Sequence, residues 1–355
     1  MDFHDWGLDA SLAEVRQALA PWLRSGTKDG FECRALALFR WQAQNNTVYR
    51  SFVDGLGLRP EEVKKIEEIP CLPIESFKRH QIQSGNWDPH HVFRSSGTSS
   101  ATQRSNHFID KQGLAWYRDV TRWCWSQIWN TRVEDHDWLA LLPGYVGRED
   151  ASLLHMVHGF MQDSGISDGR MLMKEHALLR QRLEQWSSNP NAYPLVLFGV
   201  TWAILDWLDD DVVKWEEFPS IRWKEIRIID TGGMKGRGVE PLKENVHRRI
   251  LDALPGVQLA SEYGMTEMMS QGYALDGVHH RFPHWVQATV KDARDPWFEL
   301  EKGRSGRLDV IDLANVHSCA FLATGDAARE VDAGLEILGR VDHAEIRGCS
   351  LLTVQ

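Results

Sequence analysis

The residues of this chain that could do chemistry come in short clusters, each at the end of an apolar run. The first is Ser95-Ser96-Gly97-Thr98-Ser99-Ser100, entered from the extended-looking His91-Val92-Phe93. Backbone N–H groups bared by small residues, with several hydroxyl donors beside them, can wrap an anion such as phosphate. The same composition also describes an ordinary surface loop. The second cluster is Thr231-Gly232-Gly233, and the third runs from Glu262 through Tyr263, Gly264, Met265 and Thr266 to Glu267. Gly232, Gly233 and Gly264 would let a flat base lie against backbone. The Glu267 carboxylate is a hard ligand of the kind Mg²⁺ takes when phosphates complete its shell. The plainer reading of Glu267 is a solvated helix-start glutamate favoured by the dipole. The last cluster is Thr324-Gly325-Asp326, where a carboxylate after a turn could accept two ribose hydroxyls or simply close the turn.

Such clusters need elements that bring their ends together. The first ninety residues read as helical, because Leu12–Leu23 and Phe31–Asn46 carry apolar residues at helical spacing. Strands and helices then alternate. Short strands lead into the Ser-rich stretch, through Asp137–Leu142, through Tyr193–Val200 and up to the glycine pair at Gly232. Helices are expected over 112–129, over Ser152–Met161, at Thr201–Leu208 and between Glu240 and Leu254, and a further strand over Val257–Gly264. After about Gln287 the text turns β-rich. This alternation predicts an α/β fold, a largely parallel sheet covered by helices with a smaller β-rich part near the end. In open α/β sheets ligands gather beyond the carboxyl ends of the strands. Ser95–Ser100, Thr231–Gly233 and Glu262–Glu267 are all expected at such ends.

The totals narrow the function class. The chain has 355 residues, 43% hydrophobic and 25% charged, with a net charge of −10. That surface repels nucleic-acid phosphates and anionic membranes, so neither is an expected partner. No stretch approaches the ~18 apolar residues of a membrane span. The N-terminus lacks a basic region followed by an apolar run. The five cysteines, Cys33, Cys71, Cys124, Cys319 and Cys349, form no C-x-x-C pair. A reduced, cytoplasmic setting is expected. Most of the 16 tryptophans are read as core packing.

Taken in order, Ser-Ser-Gly-Thr-Ser-Ser, Asp-Thr-Gly-Gly-Met-Lys-Gly-Arg-Gly from Asp230, Ser-Glu-Tyr-Gly-Met-Thr-Glu to Glu267, Thr-Gly-Asp at Asp326 and Leu-Gly-Arg-Val-Asp to Asp342 resemble the motifs of the adenylate-forming superfamily of acyl- and aryl-CoA synthetases. Tyr263–Glu267 is the strongest match, and the ordered set spans Ser95 to Gly348. Within that superfamily the chain is most similar to the acyl-protein synthetases of bacterial luminescence and their relatives. Leu141–Val157, Tyr263–Tyr273 and Glu345–Leu352 suggest this branch. The resemblance implies the large domain of an adenylate-forming enzyme. Residues 1–90 would be its helical beginning, 91–340 its core, and 341–355 a hinge with a truncated C-terminal lid.

The resemblance also implies an activity: ATP-driven activation of a carboxylic acid, expected to be a fatty acid, followed by acyl transfer to a thiol. Thr98 with Ser95, Ser96, Gly97 and Ser99 would hold the β,γ-phosphates. Glu267 would bind Mg²⁺, and Thr266 would donate to the α-phosphate. Tyr263 would lie beside the adenine, with Gly232, Gly233 and Gly264 around it. Asp326 would fix the ribose and Arg340 would add charge. Lys235 is a weaker substrate contact, with an exposed, solvated lysine the equal alternative. Gln103 stands where the family loop carries lysine, and Arg104 is its possible substitute. Large members continue into a lid domain carrying a catalytic lysine. Little chain follows Asp342 here, so that lysine is expected to be absent or replaced. Cys349, just after the hinge, is the candidate acyl-carrying thiol, activated by a lowered pKa, with Arg347 or His343 as helpers. Against it stands the commonest use of free cysteine, a small buried hydrophobe, and the other cysteines keep that reading.

The acceptor following Cys349 is a partner protein on this reading. A small acyl- or aryl-CoA ligase, or one that loads a carrier protein, is the enzyme alternative. A non-catalytic nucleotide-binding regulator is the alternative from another class. His279, His280 and His284 lack the cysteine or carboxylate that would complete a familiar metal spacing. His155 and His158 read as packing or surface residues.

Overall fold

A computed structural model describes residues 6–95, 104–143, 148–165, 171–172, 175–209, 221–232, 243–254 and 256–340. Helices α1 (Leu12–Ser25), α2 (Phe31–Asn45) and α3 (Thr47–Gly55) come first, then strand β1 (Leu72–Pro73) and the one-turn helix α4 (Ser76–Arg79). The hairpin of β2 (His91–Arg94) and β3 (Asn106–Ile109) brackets the Ser-rich stretch. There follow α5 (Gly113–Trp129), β4 (Asp137–Leu141), α6 (Ser152–Asp163), β5 (Met171–Leu172), α7 (His176–Ser188), β6 (Leu195–Val200), α8 (Thr201–Leu208), β7 (Ile226–Thr231), α9 (Lys243–Ala253) and β8 (Gln258–Tyr263). The remainder is β9 (Gly272–Ala274), β10 (His279–Arg281), β11 (Val286–Lys291), β12 (Ser305–Asp312), β13 (Phe321–Val331) and β14 (Gly334–Arg340).

Apart from β2 and β3, these strands make one twelve-stranded sheet, ordered β11-β12-β13-β14-β10-β9-β8-β7-β6-β4-β5, with β1 on β13. Strands β5, β4, β6, β7 and β8 run parallel. A parallel strand is covered on both faces, and β6 is accordingly buried at every position. The chain advances from β4 to β5 on one side, then returns across β4 to lay down β6, β7 and β8 on the other. The carboxyl ends of β4 and β6 therefore flank a reversal of strand order, the usual place for a ligand crevice in such sheets.

The expected α/β class is found, but the β-rich end is larger than the sequence suggests. It continues the same sheet from β8 onward, all antiparallel. An unpaired edge on β8 would expose a row of backbone donors and acceptors. Strand β9 covers that edge after a short connection, so residues 264–271 are pinned where the parallel and antiparallel halves meet. The N-terminal helices dock on the antiparallel half: α2's Gln42 donates to the Asn315 carbonyl at 3.0 Å and accepts from the Ala320 N–H at 2.9 Å. Tryptophans fill the core as expected, with Trp125 and Trp138 ring centroids 4.9 Å apart beneath α5 and β4. Among the described residues no helix is long and apolar enough to cross a membrane.

Candidate active site

The Thr-Gly-Asp cluster lies within β13, not in a terminal turn. On the β12 side Arg307 pairs with Ala327 and Asp309 with Ala323, so Leu308 alone faces Thr324, Gly325 and Asp326. This bulge needs a left-handed residue, which Gly325 supplies at φ 72°. The Thr324 hydroxyl pins it, donating to the Leu308 carbonyl at 2.8 Å and accepting from the Asp326 N–H at 3.2 Å. The bulge re-aims Asp326. One carboxylate oxygen accepts from the Tyr263 hydroxyl at 2.7 Å, and the other meets Arg340 Nε at 3.1 Å. Arg340 sits directly across the β13–β14 ladder and also donates to the Thr324 carbonyl at 3.2 Å. Burial raises the Asp326 carboxyl above its ordinary value, against the pull of Arg340 and Tyr263. The Tyr263 ring stands edge-on to His280 and Phe282, at centroid distances of 6.2 and 6.1 Å.

Tyr263 ends β8, and the turn after it carries Gly264, Thr266 and Glu267. A Cβ on Gly264 would lie 2.5 Å from a Glu262 carboxylate oxygen, so any larger residue there would push the Glu262 side chain aside. Glu267 is buried. Desolvation raises its carboxyl, while a hydrogen bond from Ser105 and the charge of Arg340 oppose the rise. The turn is held by groups that sequence reasoning missed. His107 Nδ1 bonds the Thr266 carbonyl at 2.7 Å, and the Asn315 amide donates to the Glu267 carbonyl at 2.7 Å. The buried carboxylate of Asp312 accepts from the N–H groups of Met269 and Ser270, each at 2.9 Å. The Ser318 hydroxyl lies 2.9 Å from His107 Nε2 and 2.7 Å from Asn315 Oδ1. Burial drives the His107 pKa down to about 4, so the imidazole is neutral and donates through one nitrogen. The available signal was a polar run, Asn315-Val316-His317-Ser318, interrupting apolar β text.

Of the other expected residues, Gly232 follows β7 with φ 54°. Ser95 and Ser105 close the root of the Ser-rich stretch: Ser95 N–H donates to the Ser105 carbonyl at 3.2 Å, and Ser105 N–H to Ser95 Oγ at 3.1 Å. Because Ser105 also bonds Glu267, that root touches the turn after β8. Arg104 is half-exposed beside Asp150. Ser96, Gly97, Thr98, Ser99, Ser100, Gly233, Lys235 and Cys349 lie outside the described residues. Cys124 and Cys319 are buried, and burial raises both thiols, Cys319 to about 12. Cys33, expected to be buried, is exposed with its thiol on the Gly30 carbonyl at 3.0 Å. The three histidines after β9 go separate ways: His279 to Asp276 at 2.6 Å, His284 to Gln127 at 2.8 Å, and His280 into the core. His155 packs near Phe93 and Tyr117.

No protein-family model matches the chain, and no curated protein matches it. Solved structures do. ATP-bound MatB from Rhodopseudomonas palustris superposes with a TM-score of 0.50 and 19% identity, over 72% of this chain and 49% of that one. A 2-hydroxyisobutyryl-CoA ligase in its postadenylation state with R3-HIB-AMP superposes at 0.63 with 15% identity, over 89% and 68%. The chain has the fold of these proteins. The open form of the same ligase, in complex with 2-HIB-AMP and CoA, gives 0.60 and 15% over 94% and 71%. The fold class expected from the resemblance is the one these structures share. The chain spans about half the length of MatB, and at these identities the likeness is one of fold.

Proposed function

We propose that this protein activates a carboxylic acid with ATP as an acyl-adenylate and passes the acyl group to a thiol. The observation that carries the reading is the contact of Tyr263 with Asp326, which unites two motifs 63 residues apart and adds Arg340 from a third. Among the described residues each Asp326 oxygen has one side-chain partner and retains lone pairs, so the carboxylate can accept both hydroxyls of a ribose. Tyr263 lies beside the adenine, with Gly232, Gly233 and Gly264 leaving room for the base. Thr266 donates to the α-phosphate, and Ser95, Ser96, Gly97, Thr98 and Ser99 cradle the β,γ-phosphates. Arg340, with 66% of its side chain exposed, brings positive charge toward the nucleotide.

Mg²⁺ suits Glu267. The carboxylate is buried and under-compensated, which a cation would relieve. Among the described residues no group of three or more His, Cys, Asp and Glu gathers, so phosphate and water oxygens would supply the remaining ligands, the habit of Mg²⁺. There it would neutralise phosphate charge.

In the first half-reaction a carboxylate oxygen of the acid bonds the α-phosphorus while the bond to the β-phosphate oxygen breaks and pyrophosphate leaves. The protein's part is to hold two anions in line and to neutralise them. In the second, a thiol loses its proton, sulfur bonds the acyl carbon and AMP departs. The Cys349 thiol is the acceptor on this reading, with a fatty acid as the acid and an acyl-acceptor protein beyond. The raised thiols of Cys71, Cys124 and Cys319 favour a cysteine elsewhere. A second reading, direct transfer to coenzyme A, is favoured by the ligase of the same fold that is complexed with CoA.

The test is pyrophosphate exchange into ATP over a panel of carboxylic acids that includes long-chain fatty acids. Exchange with at least one acid is expected, and none with any would overturn the reading. Intact-protein mass after turnover then separates the acceptors. A hydroxylamine-labile acyl mass lost in Cys349→Ser is the expected result. Free acyl-CoA without a covalent adduct favours the second reading.

A further inference from the structure

Three guanidinium groups converge on a single carboxylate at the root of the Ser-rich stretch. Arg148 Nε lies 3.1 Å from one oxygen of Asp150, and Arg94 and Arg104 each place an Nη1 atom 3.9 Å from the other. Arg94 ends β2 just before the stretch, and Arg104 follows it just before β3. Arg148 comes from the segment after β4, at the reversal of strand order. Arg148 is braced there, donating to the carbonyls of Arg94 and Ser95 at 3.2 and 3.4 Å. The Arg94 N–H in turn donates to the Asp150 carbonyl at 2.7 Å.

Among the described residues three guanidinium groups share the one carboxylate of Asp150, in a chain whose net charge is −10. The Arg94 and Arg104 side chains are 46% and 51% exposed, and exposed ion pairs at such distances contribute only ~0–1 kcal/mol each. Asp150 therefore cannot account for three convergent arginines through stability alone. The first turn of α6 adds to the same sign, since its N-cap, Ala151, makes no side-chain cap. Arg104 is followed directly by Ser105, whose hydrogen bond to Glu267 links this cluster to the turn of the proposed nucleotide site.

We propose that Arg94, Arg104 and Arg148 bind the polyphosphate end of ATP, and the pyrophosphate it becomes, with Asp150 as the carboxylate that parks them when no anion is bound. The inference rests on the adenylation reading and supplies its missing cation: Gln103 cannot provide the charge of a lysine, whereas guanidinium forks match phosphate oxygens in pairs. The α-phosphate and the nucleoside remain with Thr266 and Asp326, so the arginines distinguish ATP from AMP.

Calorimetric affinities of the full chain for MgATP, AMP and magnesium pyrophosphate test this. Arg104→Gln and Arg148→Gln should each weaken ATP and pyrophosphate about tenfold, the scale of one partly exposed charge-assisted bond, and leave AMP within twofold. Arg148→Lys, which keeps charge while losing the fork, should fall between. Asp150→Asn should tighten ATP and pyrophosphate several-fold without moving AMP, a gain that structural damage would not produce. Equal losses for ATP and AMP, or no loss for ATP, overturn the arginine assignment while leaving the adenylation reading standing. A wild-type protein that binds none of the three probes overturns both.

Discussion

Asp326 and Asp150 are both carboxylates shared between partners, and they are built in opposite ways. Asp326 is 6% exposed, bonded at 2.7 and 3.1 Å, and carried on a bulge pinned by Thr324. The side chain of Asp150 is 21% exposed and has two of its three cationic partners 3.9 Å away. A rigid, desolvated contact strengthens electrostatics and preserves geometry; an exposed one is weak but can be exchanged. The proposed reaction needs both. AMP must stay in register through two half-reactions, whereas pyrophosphate must leave between them. The buried carboxylate suits the portion that stays, and the loosely parked arginines suit the portion that goes.

The comparison breaks most visibly at Glu267. Glu267→Gln should lower pyrophosphate exchange about 10³-fold, since metal-assisted charge stabilisation contributes several kcal/mol. The same change should raise the melting temperature at neutral pH. The folded carboxyl has a pKa above its ordinary 4.5, so its contribution favours folding at low pH and is lost as pH rises through the raised value. The thermal advantage of the variant should vanish below about pH 4.5. A variant with wild-type exchange would remove Glu267 from the site.

His107 sharpens the claim that the buried side is rigid. Its folded pKa of about 4 lies below the ordinary 6.5, so the folded state takes up fewer protons and stability is lost as pH falls between those values. Relative to His107→Gln, the wild type should lose about 3 kcal/mol of unfolding free energy across that window. Denaturant titrations at a series of pH values measure it. A flat difference would mean that His107 is not held neutral against Thr266.

Asp326→Ala should weaken ATP and AMP alike, by about 2 kcal/mol or thirtyfold, the worth of a charged hydrogen bond. This parallel loss is the counterpart of the ATP-selective loss expected at the arginines, and the same calorimetry reads both. The smallest effect is Gly325→Ala. Its Cβ has room, with Arg340 Nη1 3.6 Å away, so only the left-handed backbone is penalised, by about 1 kcal/mol. A melting curve shows the penalty. A much larger loss would mean that the bulge cannot yield at all.

Much of this was legible along the chain because local patterns carried it. The wholly apolar run Leu195–Val200 reads as a buried parallel strand, and Tyr263–Glu267 reads as a turn with chemistry. What stayed hidden depended on residues far apart. His107 reaches Thr266 across 159 positions and Asn315 reaches Glu267 across 48, and neither has a local spacing to betray it. Arg94 and Arg148, 54 positions apart, look like ordinary surface arginines until the hairpin and the segment around Arg148 meet.

By itself, then, the sequence determined the alternation of elements, the order of the glycine and hydroxyl clusters, and the residue types that can accept or donate at each. These follow from side-chain periodicity and backbone permissiveness, which are properties of neighbours. Tertiary structure alone decided that Thr324-Gly325-Asp326 is a bulge inside a strand, that Asp326 meets Tyr263 and Arg340, and that the β-rich end completes the sheet on the β8 edge. Strand register and long-range burial set those contacts, and both are satisfied only when every strand has found its partner.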